Sequence, residues 1–332
     1  MTAPVSLAIV GFGRWGKVLV DSVQGKSDTV RFVTAVGRDP ARIAGEAAER
    51  GLSVYGSLAE VLAAPAIDGI VLATPHSQHA GQIIACAEAG KPVLVEKPFT
   101  LTRGSAQDAL ETAARCGTLV AAAHNRRFLE PVAALKRLIA AGKLGTILHI
   151  ETNFSGNVVG RYKPDAWRVA PGESPAGGLA GSGIHHIDSI IHLDGPITEV
   201  YALTSRRVHA IAMDDTAAIL FRMASGATAS LLTMTATAST YSIRVFGTDA
   251  KAEVNGLAEK RGSETLVITR TNGDREEQAF PASDIERAEL EAFAAAIRGV
   301  APYPVSPAEI LNGVAAFEAV SLSVDRHAPV TL

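Results

Sequence analysis

Cysteine is scarce in this 332-residue chain, with only Cys86 and Cys116. So few thiols, each inside a helical pattern, exclude a disulfide-stapled scaffold. They read as buried free thiols in a reducing compartment. An excess of one charge is lacking too: 31 Lys and Arg against 34 Asp and Glu leave a net charge of −3. That gives no electrostatic reason to expect nucleic acid or an anionic membrane as partner. No apolar run reaches the roughly 18 residues that a membrane span needs. Met1-Thr2-Ala3-Pro4 runs into a strand with neither a basic start nor an apolar signal core. The expectation is a cytoplasmic protein. Its length is too great for one ordinary core and predicts two domains.

What is present begins with a strand-like segment, Val5-Ser6-Leu7-Ala8-Ile9-Val10, leading into Gly11-Phe12-Gly13-Arg14-Trp15-Gly16 and then a helical pattern. Gly-x-Gly-x-x-Gly carries meaning only in that context, after a strand and opening a helix. Gly11 allows the tight turn, Gly13 lets backbone approach a pyrophosphate, and Gly16 allows close helix–strand packing. The helix N-terminus faces the anion. A glycine-rich turn without a ligand fits the motif alone; this placement favours a dinucleotide.

The second strand, 31–36, ends at Gly37-Arg38-Asp39-Pro40-Ala41-Arg42. A carboxylate for the ribose 2′-hydroxyl is missing at the strand's end, where Gly37 and Arg38 stand. Arg38 and Arg42 would supply charge-assisted bonds to a 2′-phosphate, which favours NADP over NAD. Asp39 reads as the cap of a helix that begins at Pro40. A register two residues off would make it the ribose acid instead.

Further βα units follow. The strand 68–73 ends in Thr74-Pro75, small residues that leave room for the nicotinamide ribose, and His76-Ser77-Gln78-His79 opens a helix. His79 reads equally well as a ligand contact or as a structural residue. Val93-Leu94-Val95-Glu96-Lys97-Pro98 is a buried parallel strand ending abruptly in an acid, a lysine and a proline. Ligands of open α/β sheets sit beyond the strands' carboxyl ends, so Lys97 stands where chemistry happens. Pro98 stops the strand and orients that exit. A fifth strand, 119–123, ends at His124-Asn125-Arg126-Arg127-Phe128. The strand–helix rhythm predicts a doubly wound parallel Rossmann sheet over residues 1–124.

Beyond Gly145 the rhythm changes. Strands at 147–154, 199–205, 217–222, 227–235, 241–246 and 266–271 lie between Gly, Asn and Asp turns. They imply an α+β domain, 125–332, on a large, open, mixed and mostly antiparallel sheet. Such a face is a natural dimer surface. Final helices near 285–297 and 307–323 are expected to pack back on the nucleotide domain.

Gly181-Ser182-Gly183-Ile184-His185-His186-Ile187-Asp188-Ser189-Ile190-Ile191-His192 reads as a helix from about Ile184. His185, Asp188 and His192 share one face. Three readings compete: histidines without a role, a metal site that lacks an obvious fourth ligand, or His185 as an acid/base near the sheet edge.

Taken together, these elements resemble the glucose–fructose oxidoreductase / inositol dehydrogenase / rhizopine-catabolism (Gfo/Idh/MocA) dehydrogenases. The matching segments are Gly11–Gly16, Thr74-Pro75 with His79, Glu96-Lys97-Pro98, Asn125-Arg126-Arg127-Phe128, Trp167-Arg168 and Gly183-Ile184-His185-His186-Ile187-Asp188. The resemblance implies reversible oxidation of a hydroxyl on a sugar, polyol or related compound, and homodimers or homotetramers built through the second sheet. It makes Lys97 and His185 the catalytic pair. Cofactor contacts are then expected from Gly11, Phe12, Gly13, Arg14, Trp15, Gly16, Gly37, Arg38, Arg42, Thr74, Pro75, His76, His79, Glu96, Lys97, Asn125, Trp167 and Arg168. Substrate contacts are expected from Lys97, Arg127, Arg168, His185, His186 and Asp188, and no metal is expected. One departure matters: many members carry an aspartate four residues before the histidine, where this chain has Gly181. A catalytically silent sugar- and nucleotide-sensing protein, or an enzyme cleaving glycosides by transient oxidation, are the rival readings. Substrate identity depends on the segment 154–181.

Overall fold

The structure, a computed structural model, describes residues 3–158, 166–170, 172–257 and 260–332. Part of the segment 154–181 therefore lies outside the described residues. The chain divides into two compact units, Met1–Asn125 with Asp284–Ile310, and Arg126–Ser283 with Leu311–Leu332.

The first unit alternates strand and helix: β1 (Val5–Val10), α1 (Arg14–Val23), β2 (Val30–Val36), α2 (Pro40–Ala48), β3 (Ser53–Tyr55), α3 (Leu58–Leu62), β4 (Gly69–Leu72), α4 (His79–Glu88), β5 (Val93–Glu96), α5 (Arg103–Cys116) and β6 (Val120–Ala123). All six strands are parallel, in the order β3-β2-β1-β4-β5-β6. The strands β1, β4, β5 and β6 are buried at every residue. Helices cover both faces of such a sheet, which is why these strands read as unbroken apolar runs. The winding reverses between β1 and β4, and there the carboxyl edge opens a crevice. The short β3 has no sequence signal beyond Val54, and pairing with β2 creates it.

The second unit holds α6 (Glu130–Ala140), β7 (Ile147–Asn157), α7 (Gly183–Asp194), β8 (Ile197–Ser205), β9 (Thr216–Met223), β10 (Thr228–Met234), β11 (Ala236–Gly247), β12 (Ala250–Leu257), β13 (Lys260–Arg270) and β14 (Arg275–Ala279). Then come α8 (Ile285–Ile297), α9 (Pro307–Arg326) and β15 (Val330–Thr331). The sheet order is β14-β13-β12-β11-β7-β10-β9-β8-β15. Among the described residues only the pair β7/β10 is parallel. Burial alternates along β9 and β10, and α7 packs on β7 and β10 to cover one face.

Three strands of this sheet escape the sequence reading. In β12 the buried positions alternate regularly, but they are Ala250, Ala252 and Val254, and alanine is a weak strand former; β14 is exposed throughout, a charged edge strand with no core face. The two-residue β15 exists only through pairing with β8. The closing helices also part company. Helix α8 joins the first unit, where Arg287 Nε donates to the Ser22 carbonyl at 3.0 Å. From Leu311 onward α9 belongs to the second, with Asn312 and Ser323 bonding the backbone of Ile197 and Ala202. Cys86 is buried, and burial pushes its thiol up to about 12. Cys116 is exposed rather than buried, because it is the last residue of α5 before the left-handed Gly117 cap.

Candidate active site

The crevice of the first unit is built at the ends of β1, β2, β4, β5 and β6. Gly11 has φ +97°, and a Cβ there would lie 2.5 Å from the Ala73 carbonyl oxygen. A Cβ on Gly16 would collide with the Gly11 carbonyl. Both positions demand glycine, and together they draw the start of α1 down onto the sheet. At Gly13 nothing approaches within 4 Å, no side chain caps α1, and its first turn holds no acid. A helix start with no side-chain cap and no competing carboxylate fits a pyrophosphate. Phe12 is buried, while Arg14 stays exposed at the helix start.

At the end of β2, Gly37 is followed by Arg38 and Arg42, both exposed and neither in an ion pair among the described residues. The Asp39 carboxylate accepts from the Arg42 backbone N–H at 3.2 Å and caps α2. That hydrogen bond accounts for the acid whose register the sequence leaves open.

Beyond β4, Thr74 donates to Gln82 at 2.6 Å, Pro75 turns the chain, and His76 is buried with its ring 5.9 Å from that of His79. His79 is fully buried. Its Nδ1 lies 2.9 Å from the Pro98 carbonyl and its Nε2 lies 3.1 Å from the Thr74 carbonyl. It therefore holds the β4 exit against the turn that follows Lys97. That role as a tie between two loops has no signature in the sequence.

Glu96 closes β5. The Trp15 indole N–H donates to its Oε1, and the Lys97 backbone N–H donates to its Oε2 at 3.2 Å. One carboxyl thus joins the glycine-rich turn to the lysine. Burial pushes the Glu96 carboxyl up, against the lowering influence of Lys97 and of the Trp15 hydrogen bond; Glu286 adds to the rise. Lys97 is half-buried, and the Lys97–Pro98 peptide is cis. Across the sheet Glu96 pairs in register with Ala123, so Asn125 follows on the same edge. Asn125 is buried, with Nδ2 donating to Glu286 Oε1 at 3.0 Å.

In the second unit α7 carries the histidines. Gly183 lets it approach β10, since a Cβ there would sit 2.9 Å from Leu179 and 3.2 Å from Thr233. His185 is 6% exposed, its ring 5.8 Å from that of Phe154. His186 is wholly buried against Phe154 and Tyr241, with centroids at 5.7 and 5.0 Å, and burial drives its imidazole down to about 3. It is a neutral core residue at any physiological pH. Asp188, on the His185 face, accepts from Arg127 Nε at 3.0 and 3.1 Å and from Nη2 at 2.7 Å. The pair is 5% and 3% exposed in its side chains. Both residues expected at the substrate are thus engaged in a bidentate ion pair between the start of the unit and α7. Among the described residues no group of three His, Cys, Asp or Glu has metal-binding geometry. The Arg168 guanidinium stacks 4.1 Å over the Trp167 ring in a half-buried 3-10 turn. At Gly181 the nearest atom to a built Cβ is the Gly178 carbonyl at 3.8 Å, so a side chain fits there.

Comparison with known proteins agrees with this architecture in both units. Residues 5–124 match the profile of an oxidoreductase family with an NAD-binding Rossmann fold. Residues 132–253 match the Gfo/Idh/MocA C-terminal domain. The NADP+-dependent scyllo-inositol 2-dehydrogenase IolW of Bacillus subtilis is 33% identical over 145 residues, 43% of this chain and 39% of that enzyme. The chain thus spans about two-fifths of the length of this curated relative. An NADP+-dependent D-xylose 1-dehydrogenase of Haloferax volcanii is 26% identical over 95% of this chain and 96% of its own. Among solved structures, an oxidoreductase of Desulfitobacterium hafniense assigned as NADPH-dependent superposes with a TM-score of 0.92 at 25% identity. It covers 100% of this chain and 98% of that one. A Rossmann sheet with its glycine cradle, Lys97 at the end of β5, His185 on α7 and two matching domain profiles in order place this chain in the Gfo/Idh/MocA family of oxidoreductases.

Proposed function

We propose that the chain is an NAD(P)-dependent dehydrogenase, NADP-preferring, that interconverts a hydroxyl and a ketone on a sugar, polyol or similar molecule. The observation that carries this reading is the tie from Trp15 through Glu96 to the Lys97 backbone. It couples the dinucleotide cradle to Lys97 at the carboxyl end of β5. A bound nicotinamide supplies or accepts the hydride. Gly11, Gly13 and Gly16 would hold the pyrophosphate, and Arg38 and Arg42 the 2′-phosphate. Lys97, as an ammonium, polarises the substrate oxygen and stabilises charge developing on it. His185 takes the proton from the hydroxyl or returns it, and Arg168 orients neighbouring hydroxyls. His79, Arg127, His186 and Asp188 act on this reading by holding the frame. Without a carboxylate at position 181, Lys97 and His185 carry the proton chemistry alone.

The test is NADPH fluorescence on binding, followed by loss of NADPH absorbance with a panel of keto sugars. Lys97→Met should bind NADPH and lose turnover by at least about 100-fold. Near-normal turnover would refute the assignment. Gly181 keeps a second reading alive, a sensor that binds sugar and nucleotide without turnover, and binding without oxidation across the panel would favour it.

Self-association belongs to the same proposal. On the sheet face opposite α7, Leu203 and Leu232 flank Ala218 in one row, and Tyr201 pairs with Leu220 in the next. These leucines are 57%, 39% and 55% exposed, in the order Leu203, Leu232, Leu220. A second copy of the chain would cover them. Leu220→Lys should shift sedimentation toward monomer, and an unchanged sedimentation coefficient would argue against this face. The free cysteines fit a reducing cytoplasm. Among the described residues, no helix is long and apolar enough to cross a membrane.

A further inference from the structure

Asn125 divides its amide between two fates. Nδ2 donates to Glu286 Oε1 at 3.0 Å, whereas Oδ1, in a side chain 5% exposed, has no hydrogen-bond partner among the described residues. Buried acceptors are rarely left so in native proteins, and each calls for a cause, among them an ordered water, strain or a group that binds there. The place is specific. Ala123 pairs with Glu96 across β6 and β5, so Asn125 lies two residues past the sheet edge that Lys97 passes by one. Its partner Glu286 arrives from α8, 161 residues along the chain, and is itself buried.

We infer that Glu286 is a positioning residue that fixes Asn125 as a hydrogen-bond acceptor toward the nicotinamide riboside half of the dinucleotide. The inference rests on the dinucleotide reading above. An amide can turn over, exchanging its oxygen and nitrogen at little steric cost. A carboxylate only accepts, so Glu286 pins the NH2 group toward itself and leaves the oxygen committed to a donor. The riboside half offers two kinds of donor, the carboxamide N–H and the ribose O–H. The acidity of the same wall supports the arrangement, since Glu286 is close enough to oppose ionisation of Glu96. A helix from the far end of the chain thus sets the polarity of a pocket assembled by the first 125 residues.

The experiment is a double-mutant cycle on dissociation constants for NADP+ and for its 3-acetylpyridine analogue, in which a methyl replaces the carboxamide NH2. Glu286→Gln is nearly isosteric and lets the Asn125 amide turn either way. It should weaken NADP+ binding about threefold to tenfold, as should Asn125→Ala. The double variant should bind no more weakly than Asn125→Ala alone. If Asn125 accepts from the carboxamide, its substitution spares the analogue; if from the ribose, both ligands lose equally. Should Asn125→Ala fail to fold, Asn125→Ser takes its place. Native affinity in Glu286→Gln would overturn the inference, as would a penalty that persists in full when Asn125 is absent. Failure of the unmutated protein to bind NADP+ or NAD+ would instead overturn the dinucleotide reading itself.

Discussion

Glu96 and Asp188 are both buried carboxyls beside a residue expected to do chemistry, and their surroundings differ in kind. Asp188 faces the Arg127 guanidinium, which meets both its oxygens and fully commits it. Glu96 is held by an indole and a backbone N–H, with burial pushing it toward the neutral form. The first arrangement spends its polarity on holding α7 in place. The second lies on the sheet edge where Asn125 Oδ1 has no hydrogen-bond partner among the described residues. The difference separates polar residues that build a frame from those that wait for a ligand, although the two kinds stand side by side in the family motifs.

The largest effect expected from that contrast is on stability. Asp188→Asn removes the carboxylate charge that faces a buried guanidinium and should cost about 3–5 kcal/mol by denaturant unfolding. Glu96→Gln keeps the acceptor for Trp15, loses one hydrogen bond, and should cost about 1 kcal/mol. Equal losses would break the comparison.

Two buried groups, Glu96 and His186, should contribute to stability with opposite pH dependence. His186 is held neutral when buried, with a folded value of about 3 against 6.5 unfolded. The unfolded chain therefore binds a proton that the folded chain does not, and stability is lost as pH falls below about 6.5. Glu96 is raised, so the folded chain holds the extra proton; that contribution is present at acid pH and lost as pH rises above its unfolded value of 4.5. His186→Gln should flatten the acid limb of a stability–pH curve by up to about 1.4 kcal/mol per pH unit. An unchanged limb would show that His186 does not titrate as its burial demands.

The smallest effects concern the end of β2. Asp39→Ala removes a helix cap and should cost about 1 kcal/mol while leaving the ratio of NADP to NAD affinity unchanged. Arg38→Ala should leave stability alone and narrow that ratio. A loss of NAD affinity in Asp39→Ala would mean that the aspartate serves the ribose instead.

Much of the first unit was legible because its signals are local. Buried parallel strands are continuous apolar runs, and the glycines of the β1 turn answer to close approaches within one βαβ unit. The second sheet was readable from its buried face in β9 and β10. It was not readable at β12, whose buried face is mostly alanine, a weak strand former, nor at β14, which has no buried face. The histidines show the limit most plainly. His79, His185 and His186 all sit near helix starts within family motifs, yet one ties two loops, one borders Phe154 at slight exposure, and one is locked in the core.

By itself the sequence determined the two-part architecture, the glycine cradle, the placement of Lys97 at a strand's carboxyl end and the helix that bears His185. Each of these follows from residues close together in the chain, through strand periodicity, turn geometry and helix spacing. Only the tertiary structure decided that Arg127 and Asp188 neutralise one another across 61 residues, that Trp15 reaches Glu96 across 81, and that Glu286 meets Asn125 across 161. The physical reason is common to all three. A buried polar group must find its partner wherever folding puts one, and local pattern carries no record of that choice.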